Sequence, residues 1–212
     1  VSNSGTKFKG KVVGFGKNRK ISNSQVNRSS NKHLKKIEGG LDLTDSSPVY
    51  LGIDQSFTGF AMCAYKDNTY YAEVYKSTNK GMPRMLDIRA FIRDWISRVE
   101  ILDVAMEGYA MGAKGKVFHL GELGGLVKME LADIDKYPLI IPPTTLKKYV
   151  TGAGSGQKNQ MILHTYKKWG QTFTDDNACD AYGLARLCSG DGTLAYEKAI
   201  YQQVQSPDYR EI

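Results

Sequence analysis

The chain has 212 residues, of which 41% are apolar and 24% charged. That mix fits one globular domain with an appendage and excludes a wholly disordered or fibrous chain; no apolar run approaches the roughly 18 residues of a membrane span. The formal charge of +7 lies entirely in the first quarter, because residues 1–48 hold 10 Lys/Arg against 3 Asp/Glu and residues 49–212 hold 19 of each.

Residues 1–47 read as a basic arm, flexible when free. They are rich in Ser, Asn, Gly and Lys, and the first 37 contain no acid. So few apolar residues cannot offset the ordering entropy. Nucleic acid is the expected partner of such an arm, with a solubilising tail or a transit peptide as alternatives.

The body is expected over 48–190. Val49–Asp54 reads as a buried strand ending in a carboxylate. After the turn at 55–59, Phe60–Tyr65 is a second strand and Tyr70–Lys76 a third, joined by a hairpin at Lys66-Asp67-Asn68. Pro83 opens a helix in which Met85, Ile88, Ile92, Trp95, Ile96 and Val99 keep the helical period. Leu102–Glu107 is a fourth strand, again ending in an acid. Residues 115–133 form a helix, and Leu139–Ile141 a short strand before two prolines. Helices are expected at 144–150, 157–169 and 176–187; residues 191–212 are a tail or helix. The order predicts an α/β fold: a mixed five-stranded sheet with helices on both faces.

Asp54 and Glu107 each end a strand expected at the centre of this sheet. Asp180 lies on the last helix of the body, with Asp176 one turn earlier on the same face. Four converging carboxylates are tolerable only around cations. All-oxygen ligands select Mg²⁺ or Mn²⁺, and a pair of such ions suits phosphodiester hydrolysis. Taken singly, each acid also fits a turn or capping role, and Asp176 could cap its helix.

Leu51-Gly52-Ile53-Asp54-Gln55-Ser56-Phe57-Thr58-Gly59-Phe60 resembles the first motif of the RuvC family of Holliday junction resolvases, within the RNase H-like superfamily. Ala105-Met106-Glu107 resembles the second acidic motif and Leu120–Gly125 the glycine-bearing dimer helix. Lys147 with Gly152–Lys158 resembles the basic segment, and Asp180–Ala185 the terminal acidic helix. The ordered set spans about 49–187, and the long arm is closer to phage-encoded members. The resemblance implies a homodimer that nicks four-way junctions with two Mg²⁺ or Mn²⁺ per site, held by Asp54, Glu107, Asp176 and Asp180. Flaps, forks and RNA–DNA hybrids are alternative substrates, and a non-catalytic nucleic-acid-binding protein of the same fold is the remaining alternative. The family commonly has Asp or His three residues before the last acid. Here Asn177 holds that place and Asp176 precedes it, so either is the candidate fourth ligand.

Tyr109, Lys114, Lys116, Lys147, Lys148 and Lys158 are the candidate DNA contacts. Tyr109 has two readings, a base-stacking aromatic or a buried loop anchor. The lysine pair at 147–148 suits a phosphate or a solvated face. The Gly152–Lys158 loop is not a P-loop, since Gln157 and Asn159 stand where Gly and Ser/Thr are needed, so no nucleotide cofactor is expected. Cys63, Cys179 and Cys188 show neither disulfide nor zinc spacing. With no apolar leader core, the reading is cytoplasmic, in a bacterial or phage-infected cell, with organelle targeting by the basic N-terminus still open.

Overall fold

The structure is a computed structural model that describes residues 33–109, 117–154 and 158–210. Six strands form one sheet: β1 (Leu34–Gly39), β2 (Val49–Asp54), β3 (Phe60–Lys66), β4 (Thr69–Tyr75), β5 (Ile101–Glu107) and β6 (Leu139–Ile141). Their order is β1-β4-β3-β2-β5-β6. β2, β5 and β6 run parallel, and β3, β4 and β1 continue the sheet antiparallel on the other side of β2.

Among the described residues the sheet therefore has six strands rather than five, and its first strand precedes Pro48. Leu34–Gly39, assigned above to the arm, pairs with β4 along its whole length. Leu34 packs on one face of the sheet and Ile37 on the other, while Lys36 and Glu38 face solvent. An edge strand needs few apolar residues and tolerates charge, which is why a charged hexapeptide can hold this position.

Helices cover both faces. α1 (Gly81–Arg98) and α2 (Val117–Ala132) lie on one. There Ile88, Ile92, Trp95, Leu123, Val127 and Leu131 pack on Leu51, Ile53 and Met62. Arg89 and Arg93 of α1 both pair with the buried Glu130 of α2. The other face holds α3 (Pro143–Thr151), α4 (Lys158–Trp169), α5 (Asp176–Ser189) and α6 (Ala195–Val204).

The C-terminal residues close one edge of the sheet. Arg210 bridges to Leu139 and pairs with Asp103 at 2.7 Å. α6 is held by Glu197, which accepts from the Leu194 and Thr193 amides and pairs with Lys168. Lys168 also donates to the last carbonyls of α3, at Tyr149 and Val150.

The register brings several strand ends to one rim of the sheet. β2 and β5 end there, at Asp54 and Glu107, and β3 begins there. Tyr75, the end of β4, pairs with both Phe60 and Leu34, so β1 starts at the same rim. A chain beginning at residue 48 should melt about 5 °C below one beginning at residue 33, because it loses β1 and bares the β4 edge. Thermal unfolding of the two truncations checks this, and equal midpoints would remove β1 from the folded body.

Candidate active site

β2 and β5 are parallel neighbours, with Ile53 opposite Met106. Their next residues, Asp54 and Glu107, leave the sheet side by side. Asp54 is buried and Glu107 partly exposed. α5 crosses beneath them because β2 carries glycine at position 52. A Cβ there would overlap the Ala181 carbonyl and the Ala185 nitrogen. Ala178, Ala181 and Ala185 are all fully buried on this helix. Small residues on both partners bring Asp180 and Asp176, at the N-terminal end of α5, to the rim.

The four carboxylates act on one another. Burial pushes Asp54 well above the usual carboxylate range, and the charges of Glu107 and Asp180, a hydrogen bond shared with Glu107 and the charge of Asp176 push it the same way. Among the described residues, no three His, Cys, Asp or Glu side chains are already gathered into a metal-binding group. Asp54 and Glu107 meet through a shared hydrogen bond, which needs a proton between them, and the charges of Asp180 and Asp176 act on the same pair.

The capping question is answered by Asp175. It is the N-cap of α5, and its Oδ1 accepts from the Asn177 amide at 3.1 Å and from Asn177 Nδ2 at 3.2 Å. Burial would raise Asp175, but Lys76 at 3.1 Å, Asn177 and Lys35 together hold its carboxyl below the usual range. Asn177 also packs on Gly59, where a Cβ would lie 2.5 Å from its Nδ2. Its side chain is thus committed to the cap and the β2–β3 turn. Asp176 is not the cap, and its charge reaches Asp54.

Tyr109 lies against α2, its hydroxyl over Gly124, with Lys128 Nζ 5.8 Å from the ring centre. This is the geometry of a loop anchor. Lys147 and Lys148 lie on α3, which packs through Leu146 and Val150 over Gly183 of α5. Lys114 and Lys116 lie outside the described residues, and of Lys158 only the main chain is described. One site residue went unnoticed in the sequence. Gln55 is buried at 5% exposure, and its Nε2 donates to the Glu107 carbonyl at 2.7 Å. Its place directly after Asp54, at the end of the strand, was the available signal.

No protein-family model matches the chain, and no curated protein matches it by sequence. Solved structures do. Thermus thermophilus RuvC in complex with a Holliday junction substrate superposes with a TM-score of 0.58 at 19% identity, covering 66% of this chain and 91% of that one. A second Thermus thermophilus RuvC structure gives 0.55 at 18%, covering 77% and 98%. The chain has the fold of RuvC. Nearly the whole length of RuvC is spanned, while up to a third of this chain lies outside the match.

On this RuvC-like frame Asp54 is held against its own ionisation. Its raised pKa means that the folded state binds the proton more tightly than the unfolded state. Stability is therefore lost as pH rises from about 4 through the raised value. Without divalent ions near pH 7, Asp54→Asn should raise Tm, because the variant carries no carboxyl to ionise there. The gain should vanish near pH 4. A melting series from pH 4 to 8 checks this, and a lower Tm for the variant at pH 7 contradicts it.

Proposed function

We propose that the protein is a divalent-metal-dependent endonuclease that resolves four-way DNA junctions by paired nicks, working as a homodimer. The observation that carries this is Asp54, buried among Glu107, Asp180 and Asp176 at one rim of a RuvC fold. The RuvC structure that this chain resembles holds a Holliday junction substrate, which supports branched DNA as the ligand here.

The donor set fits a hard divalent ion. It is all oxygen and anionic, and Asp54 is pushed towards its protonated form by neighbouring acids that a cation would neutralise. Asp54, Glu107, Asp180 and Asp176 would hold Mg²⁺ or Mn²⁺. Bound there, the ions would supply charge neutralisation and Lewis acidity for phosphodiester hydrolysis. Asp175 and Asn177 keep the start of α5 wound, so that Asp176 and Asp180 present one face to the rim.

The N-terminal sequence would suit DNA phosphates, since residues 1–32 carry 8 Lys/Arg and no acid. Lys114, Lys116 and Lys158 would add phosphate contacts, with Lys147 and Lys148 touching an arm away from the branch point.

The exposed face of α2 fits a second copy. Phe118 is 85% and Met129 70% exposed, and nothing lies near Gly121 or Gly125 between them. Two such faces meeting about a two-fold axis would place two sites on a two-fold junction. Phe118→Glu combined with Met129→Glu should therefore give a folded monomer by analytical ultracentrifugation and circular dichroism. A variant that remains dimeric removes α2 from the interface.

The deciding experiment is cleavage of a synthetic four-way junction beside a flap, a fork and an RNA–DNA hybrid, with Mg²⁺ or EDTA. Symmetric nicks on the junction, lost in EDTA, are expected. Asp54→Asn, Glu107→Gln, Asp180→Asn and Asp176→Asn should each lose at least 100-fold in rate, about 2.7 kcal/mol, while still binding the junction. Asn177→Ala should cost about 1 kcal/mol of stability and leave the rate nearly intact. Faster cleavage of another substrate would reassign the enzyme, and no cleavage of any would leave a binding protein.

A further inference from the structure

β2 stops pairing with β5 at Ile53 and Met106. The next carbonyl of β5, that of Glu107, lies beyond the last main-chain pair. Gln55 Nε2 donates to it at 2.7 Å, so a side-chain amide extends the ladder by one rung past the point where β2 turns away. On its other side the Glu107 peptide is held by the Gly108 amide, which donates to the Ile141 carbonyl at 2.8 Å. Both neighbouring strands thus grip the backbone that carries Glu107, and on the β2 side the grip is this carboxamide.

The rest of the carboxamide is unusual. Gln55 Oε1 is buried and makes no hydrogen bond, a state that costs about 1–3 kcal/mol for a polar group. It points at α2, where a Cβ on Gly124 would lie 2.9 Å from it and would also collide with the Tyr109 hydroxyl. Gly124 leaves the room in which these two groups approach. A phenolic hydroxyl is a donor, and Oε1 is an acceptor in need of one.

We propose that Gln55 is a positioning residue for Glu107, resting on the nuclease reading above: its amide fixes the strand end that carries this acid, and its Oε1 takes the Tyr109 hydroxyl as donor when the site is formed. The carboxamide then links α2, the Tyr109 loop anchor and the acid in one hydrogen-bonded chain. Substitutions at Gln55 act on how well the four acids hold a divalent ion, and leave the DNA-contacting surface unaltered.

The test uses the full chain and Gln55→Met, which keeps length and loses the donor. Gln55→Asn, which keeps the amide but falls short of Glu107, is the second variant, and either one that folds is decisive. Two quantities are titrated with Mg²⁺: the rise in Tm without DNA, and cleavage of the four-way junction. Junction binding is measured in EDTA. The expected result is a Mg²⁺ midpoint at least tenfold higher in both titrations, with junction affinity within twofold of wild type. Tyr109→Phe should move the midpoint in the same direction by a smaller factor. A destabilised variant with an unchanged Mg²⁺ midpoint overturns the proposal and leaves Gln55 a packing residue. If wild type itself shows no Mg²⁺-dependent rise in Tm, the nuclease reading fails, and the two failures are therefore distinct.

Discussion

Helix α5 can lie against β2 only because Gly52 has no side chain and Ala181 and Ala185 present little more than backbone. Close packing of this kind is intolerant of even one methyl group. A side chain at 52 would have to push the helix off the strand, and the helix carries Asp176 and Asp180. Two of the four acids thus owe their position to the side-chain atoms that Gly52, Ala181 and Ala185 lack. The other two owe theirs to strand register, which ends β2 and β5 side by side.

That packing gathers negative charge in a buried place, which opposes folding. Burial and three neighbouring carboxylates all push Asp54 towards its neutral form, so the rim weakens the fold it belongs to. The compensation lies elsewhere on α5. At its start Asp175 caps the helix and is held by Lys76 and Lys35. At its end Arg186 is buried against the rings of Tyr65 and Trp169 and pairs with Asp191 at 3.1 Å. The helix is anchored at both ends, and its N-terminal acids add their charge to the crowded rim.

Much of this was legible in the sequence because its signals were local. The strands Val49–Asp54 and Leu139–Ile141 have the expected limits, and the other strands and helices of the body lie within a few residues of theirs. Asp54 and Glu107 stood out because each ends an apolar run. What could not be read depends on tertiary pairing. β1 has one apolar residue for each face of the sheet, too few to show a period, and is a strand only because β4 offers it an open edge. The assignment of the cap to Asp175 rather than Asp176 needed the backbone geometry of the helix start, since adjacent aspartates look alike in a sequence. Gln55 was passed over because its partner, the Glu107 carbonyl, is 52 residues away, and no spacing rule connects them.

The central claim is that the four acids at the rim form one cation site. Its most direct test is anomalous diffraction from crystals of the full chain soaked in Mn²⁺. Anomalous peaks are expected within bonding distance of Asp54, Glu107, Asp180 and Asp176, with carboxylate oxygens about 2.0–2.4 Å from the ions. Mn²⁺ bound elsewhere, with Asp54 still sharing its hydrogen bond with Glu107, would contradict it.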